Sequence, residues 1–321
     1  MLRERRISES KVAIGEGLEG DIIQQLLDTL KIEQVISFED TVTITPNWVN
    51  TNAPETGTVV GPQSLQKLIQ YIKGQSPGRV VIATGSGGDE TTKVLKKTGY
   101  QQIIEKEDVE FVDLNYGPYE EFEINHPKFK KIKLNKLLKE TDFLISYTQI
   151  KHHEEATVSL GIKNIALACP PAELHGFPKA GQGIHEYLHE FITAMAELIP
   201  IDLAILSGDQ GMVGTGPSHG KPVNADLVVA GTDPVTTDVV GARLLGFRQQ
   251  AVRYLHNLVR EGVGEGDLKK VTLLGMPLKQ AEEKFSQAAY DYKIALDKYE
   301  ILPLHLRPKE RTEATSDAIS H

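Results

Sequence analysis

Short apolar, β-branched runs alternate along this chain with stretches whose apolar residues recur every three to four positions, and that alternation leaves few folds open. Residues 11–15, 42–45, 80–83, 109–114, 143–150, 204–206, 227–230 and 271–274 read as strands. Between them, Ile22, Ile23, Leu26, Leu27 and Leu30 share one helical face, as do Leu65, Leu68, Ile69 and Ile72. Ile184, Leu188, Phe191, Ile192 and Met195 predict a helix beginning near 184. Gly231-Thr232-Asp233-Pro234 reads as strand end, N-cap and first-turn proline, opening a helix that runs to the C-capping Gly246. A strand–helix rhythm of this kind implies an α/β fold with mostly parallel sheets flanked by helices. The predicted layout is two lobes around a cleft, residues 11–142 and 143–277. A long C-terminal helix over 278–302, periodic from Leu278 to Tyr299, and a disordered polar tail over 303–321 complete it.

With 321 residues, 40% of them hydrophobic, the chain can bury a substantial core. A formal net charge of −9 argues against a general nucleic-acid or anionic-membrane surface while leaving room for a local basic pocket. The lysines at 128, 130, 131, 133 and 136 lie beside Glu120, Glu121 and Glu123, so they read as a solvated charged face. One cysteine, Cys169, excludes an internal disulfide and any intrachain iron–sulfur cluster. It has no basic neighbour in sequence and reads as a small buried hydrophobe. No apolar run reaches membrane-spanning length and the first residues lack a signal h-region, so a cytoplasmic protein without membrane partners is expected.

The densest chemistry follows the apolar run 143–150. Lys151, His152 and His153 stand at its end, with Thr157, Lys163 and Asn164 close behind. In open α/β sheets ligands gather at the carboxyl ends of strands, where such groups can hold an anion, ligate a metal or move a proton near neutral pH. The plainer reading is a strand that reaches the surface in solvated charge. Gly85-Ser86-Gly87-Gly88, between a strand and a helix, is open in the same way. Exposed backbone amides there would attract phosphate, yet neither G-x-G-x-x-G nor the Walker lysine is present, so a plain turn fits as well.

The series Lys151-His152-His153, Thr157 and Lys163-Asn164 resembles the core motif of the DUF362 family, a domain of unknown function. Gly214-Thr215-Gly216-Pro217-Ser218-His219-Gly220 and Gly231-Thr232-Asp233-Pro234, followed by Asp238, Ala242 and Gly246-Phe247, extend the likeness to about Gly275. The resemblance implies site roles for Thr157, Asn164, Gly214, Gly216, Pro217 and Gly220, and it names no reaction. Many relatives carry a ferredoxin-like insert with clustered cysteines; this chain has none.

Three other constellations could carry chemistry. His185-Glu186-Tyr187-Leu188-His189 is an H-E-x-x-H string inside a predicted helix; that spacing would put two imidazoles on one face for a metal, with the glutamate to activate water. The metzincin extension is absent, and two polar helix residues are the alternative. Asp209, at a strand end before the glycine loop that carries His219, suits a substrate or cation site, or merely a tight turn. Asp238 lies in an otherwise apolar helix and needs a partner such as Lys151, Lys163 or Arg243.

Together these readings predict an enzyme acting on a small anionic substrate by metal-assisted proton transfer, isomerisation or redox chemistry. Lys151, His153, Lys163 and Asp209 are its expected catalytic groups. Thr157, Asn164, Gly214, Gly216, Pro217, His219 and Asp238 would bind substrate, and His152, His185 and His189 a divalent metal. A non-catalytic accessory module for an iron–sulfur or metal system is the alternative, and a zinc hydrolase the third. The C-terminal helix offers a route to a homo-oligomer.

Overall fold

The computed structural model describes residues 2–17, 19–179 and 183–296. Its strands are β1 (Lys11–Glu16), β2 (Thr41–Pro46), β3 (Arg79–Thr84), β4 (Glu110–Asp113), β5 (Tyr119–Glu123) and β6 (Lys131–Asn135) in the first half. β7 (Phe143–His153), β8 (Thr157–Ser159), β9 (Leu203–Val213), β10 (Lys221–Val223), β11 (Leu227–Gly231) and β12 (Thr272–Gly275) follow. The helices are α1 (Glu19–Thr29), α2 (Pro62–Gly74), α3 (Thr91–Lys97), α4 (Tyr100–Glu107), α5 (Leu137–Glu140), α6 (Gly161–Ala168), α7 (Ala172–His175), α8 (Leu188–Leu198), α9 (Pro234–Leu244), α10 (Arg253–Arg260) and α11 (Leu278–Tyr290).

One sheet runs through the molecule in the order β12-β1-β11-β9-β7-β2-β3-β4, with β8 and β10 appended to β7 and β9. Neighbours on that path are parallel except on the two sides of β11, so the expected mostly parallel α/β fold is what forms. β7 and β9 are eleven residues each and lie at the centre; β7 is buried along its whole length, as a strand covered on both faces must be.

Alternate residues of β7 feed two cores. Phe143, Ile145 and Tyr147 join the core under α1, α2 and α4, while Leu144 and Ile150 join the one under α6, α8, α9 and α10. The sheet does not divide where the two lobes were expected to part. β1, from the first half, sits between β11 and β12, and β2 pairs with β7, so strands from both sides of residue 142 share one continuous layer.

Two helix expectations need correction. The helix expected from residue 184 begins only at Leu188, with 184–187 in turns. The C-terminal helix stops at Tyr290, where Asp291 takes a left-handed conformation (φ 59). Its Ala281, Phe285 and Ala289 are buried against this chain's own core. The predicted continuation beyond 296, and the predicted tail, lie outside the described residues.

The segment before β1 is a strap of charge. Arg3 pairs with Asp202, Arg6 with Asp40 and Arg5 with Asp233, all three carboxylates being buried. Asp233 also accepts from Val235 N at 2.9 Å, the N-cap that the sequence predicted for α9, and from Ser10 Oγ at 2.7 Å.

Candidate functional site

A cavity of about 230 Å³ opens at the carboxyl ends of β2 and β3. Its walls come from Asn47, Trp48 and Val49 after β2, from Thr84 to Gly88 after β3, and from Lys163, Asn164, Leu167 and Ala168 on α6. The one-and-four spacing of those last four residues puts them on a single face of the helix. His153 and Ser159 of the β7–β8 hairpin, Pro178, Lys179, His185, Pro217 and Ser218 close the remainder.

α6 is aimed at this cavity by its own N-terminus. Gly161 N and Ile162 N donate to the two carboxylate oxygens of Asp238 at 2.8 and 3.0 Å. Asp238 is wholly buried, and burial pushes its carboxyl up to about 8. Its partners are two backbone amides and the Tyr254 hydroxyl rather than the lysines or Arg243. A Cβ added at Gly161 would lie 3.1 Å from both Ala204 Cβ and Asp238 Oδ1, a tight contact at this turn. Asn164 anchors the next turn, donating to Thr45 O at 2.9 Å and to Ser146 Oγ at 3.1 Å.

Three lysines are buried around the cavity, and they differ in what their ammonium groups meet. Lys151 lies behind the wall and donates to Asn47 Oδ1 at 3.0 Å and Thr58 O at 3.2 Å. Burial, helped by the charge of Lys163, lowers its pKa to about 7. Lys179 donates to Gly85 O, Leu167 O and Ala168 O at 2.9, 3.0 and 3.0 Å. All three of its protons are taken, two by the unpaired carbonyls ending α6, so it ties the glycine turn to that helix end. Burial lowers it as well, to about 7. Lys163 differs: it lines the cavity, and its ammonium finds no hydrogen-bond partner among the described residues. Burial brings it to about 8, against the raising influence of Glu155.

The adjacent histidines of β7 point opposite ways. His152 Nδ1 accepts from Gly214 N at 2.8 Å, its Nε2 meets Tyr290 Oη at 3.3 Å, and the ring packs edge-on against Phe247. Burial lowers it to about 4. His153 lines the cavity, with Nδ1 accepting from Glu155 N at 3.1 Å and Ala156 N at 3.2 Å. Burial first, then the charge of Lys163, pushes its pKa far below the ordinary imidazole range.

The predicted site residues thus separate. Lys163, His153, Asn164, Pro217 and His185 share the cavity, and Lys151 stands immediately behind it. Thr157 begins β8 opposite His153, with a positive φ of 68. Gly214 and Gly216 brace the hairpin: Gly214 N reaches His152, and a Cβ on Gly216 would fall 1.9 Å from His152 O. His219 is exposed outside the lining. Asp209 also lies outside it; burial and the nearby Asp226 raise its pKa. The H-E-x-x-H spacing does not act as a helical pair. His185 precedes α8 and Glu186 pairs with Lys128, while His189 lies beside Tyr254 and outside the cavity lining.

A metal does not fit these side chains as expected. Both nitrogens of His152 are engaged, and among the described residues no group of three His, Cys, Asp or Glu side chains could hold an ion. Asn47, Ser159, Lys179 and Ser218 escaped the sequence reading. The only local signal was the glycine-rich, proline-rich setting of Lys179, which says nothing of the carbonyls it reaches.

A family model described as "Domain of unknown function (DUF362)" matches residues 42–243, from β2 to the end of α9. The chain belongs to the DUF362 family. That span takes in the cavity walls from Asn47 to Ser218. A curated relative is the thylakoid-associated protein sll1697 of Synechocystis, 25% identical over 203 residues, which are 63% of this chain and 61% of that protein. This chain therefore matches less than two thirds of that relative's length. Among solved structures, the lactate racemase apoprotein of Thermoanaerobacterium thermosaccharolyticum superposes with a TM-score of 0.43 at 19% identity, over 75% of this chain and 58% of that one. No described helix of this DUF362 protein is long and apolar enough to cross a membrane.

Proposed function

We propose that this DUF362 protein is an enzyme that holds the anionic group of a small molecule on Lys163 and moves a proton on the same molecule within the cavity. The observation that carries this reading is Lys163, whose side chain is buried while its ammonium, with no hydrogen-bond partner among the described residues, faces a cavity of about 230 Å³. A buried cation is costly unless something pairs with it, and a carboxylate or phosphate entering the cavity would be that partner. Asn47 and the hydroxyls of Ser159 and Ser218 supply further polar groups, and Trp48, Val49, Leu167 and Pro217 the apolar wall that small-molecule sites combine with them. A volume of this size admits a small metabolite.

Proton transfer is favoured over anion storage because two histidines line the same cavity as the cation. The first test is calorimetric titration of wild-type protein and Lys163→Met with sulfate, inorganic phosphate and small mono- and dicarboxylates. Saturable binding by the wild type, lost in the variant, is the expected result. Equal binding by both proteins would overturn the assignment of Lys163. An anion-binding protein that exchanges no substrate hydrogen with deuterated solvent, across a panel of such acids, would point to the accessory module instead.

A further inference from the structure

Glu155 contacts both cavity histidines, and through different atoms. Its backbone N–H donates to His153 Nδ1 at 3.1 Å, beside Ala156 N at 3.2 Å. Its carboxylate Oε2 lies 2.6 Å from His185 Nδ1. A nitrogen that accepts two N–H groups cannot carry a proton, so neutral His153 has its proton on Nε2. A nitrogen held against a carboxylate must carry one, so neutral His185 has its lone pair on Nε2.

We infer that Glu155 is a positioning residue that fixes the two histidines in opposite tautomers, making His153 the hydrogen-bond donor and His185 the proton acceptor of the cavity. The inference deepens the function proposed above and rests on it for the identity of the reactant. The residue types suit the division. His153 is faced by Lys163, Lys151, His185 and His189, a cationic setting that opposes its protonation. His185 has the carboxylate partner that orients a base, in the manner of other carboxylate–histidine pairs. The substrate class narrows accordingly to a small acid bearing, beside its anionic group, an oxygen acceptor and a removable proton.

The step balances without an oxidant. His185 Nε2 takes the proton, and the electron pair of the broken bond stays on the substrate. Charge gathering on the substrate oxygen is met by the Nε2–H of His153, and the proton on His185 returns to substrate or passes to water.

Nitrogen NMR of ¹⁵N-histidine-labelled full-length protein tests this directly at mildly alkaline pH, with resonances assigned through His153→Gln and His185→Gln. The expected result is an unprotonated Nδ1 and protonated Nε2 for His153, and the reverse for His185. In Glu155→Ala the main-chain amide remains, so His153 should keep its signature while His185 becomes a mixture of tautomers. Glu155→Asp, which restores a carboxylate, should return part of the His185 pattern. A protonated Nδ1 on His153 in the wild type, or a His185 spectrum unmoved by Glu155→Ala, would overturn the inference. Since these spectra need no ligand, failure of sulfate or phosphate to bind would count against the anion reading alone.

Discussion

Replacing Lys163 with methionine should make the ligand-free protein more stable while removing its response to anions. The side chain keeps most of its length and an apolar stem and loses the ammonium, which is where the structure locates the cost. Lys163 titrates near 8 in the fold against an ordinary 10.5, with burial as the leading cause. Each unit of such a shift corresponds to about 1.4 kcal/mol, so keeping the ammonium at neutral pH costs the fold about 3 kcal/mol at most. The sign follows from proton counting. Between the folded and unfolded values the unfolded chain binds more protons, so this penalty is present in full below about 8 and fades as pH rises towards 10.5.

Lys163→Met should therefore raise the unfolding free energy by about 1–3 kcal/mol at neutral pH, less any loss from imperfect packing of the thioether. In the wild type, sulfate at a hundredfold excess over its dissociation constant should add about 2.7 kcal/mol, and in the variant nothing. Urea denaturation followed by circular dichroism reads both quantities, and urea leaves ionic strength unchanged. A variant clearly less stable than wild type without anion, and stabilised by sulfate to the same extent, would refute the idea that Lys163 is an unpaired cation awaiting a ligand.

Other consequences can be checked separately. Sulfate, whose own charge is constant in this range, should bind about tenfold more weakly for each pH unit above the folded Lys163 value near 8, because the cation is then lost; titrations at successive pH values giving a flat affinity would contradict it. Arg3→Met should cost about 3 kcal/mol in chemical denaturation, since the fully buried Asp202 would keep its bonds from Arg6 N and Leu144 N and lose its counter-charge. Gly216→Ala sets a methyl 1.9 Å from His152 O, a backbone atom that cannot swing aside. It should lower stability by at least about 2 kcal/mol and weaken sulfate binding by displacing Pro217 and Ser218 from the cavity wall, both read in one pair of titrations.

Much of the sheet was legible locally. The β-branched runs at 42–45, 80–83, 143–150, 204–206 and 227–230 all became strands, because apolar period and branching act within a few residues. Asp233 was legible as an N-cap for the same reason: a carboxylate, a proline and the following amides are neighbours in sequence. Local pattern misled where a helix start depended on its surroundings. Ile184 shares the apolar period of α8 and is buried, yet the chain before Leu188 runs in turns that carry His185 to Glu155.

What the sequence by itself determined, then, was an alternation of strands and helices, their buried faces and a cluster of basic groups after residue 150. Tertiary structure alone decided which of those groups act together. Pairing of β2 with β7 brings Asn47 to Lys151 across 104 positions, and the end of α6 supplies Lys179 with carbonyls that no spacing rule encodes. The opposite facing of His152 and His153 follows from the pleat, but which side holds the cavity depends on the helices stacked there. Hydrogen bonding and burial are properties of packed neighbours, so the one buried lysine with no described hydrogen-bond partner could be singled out from the other two only after the chain had folded around it.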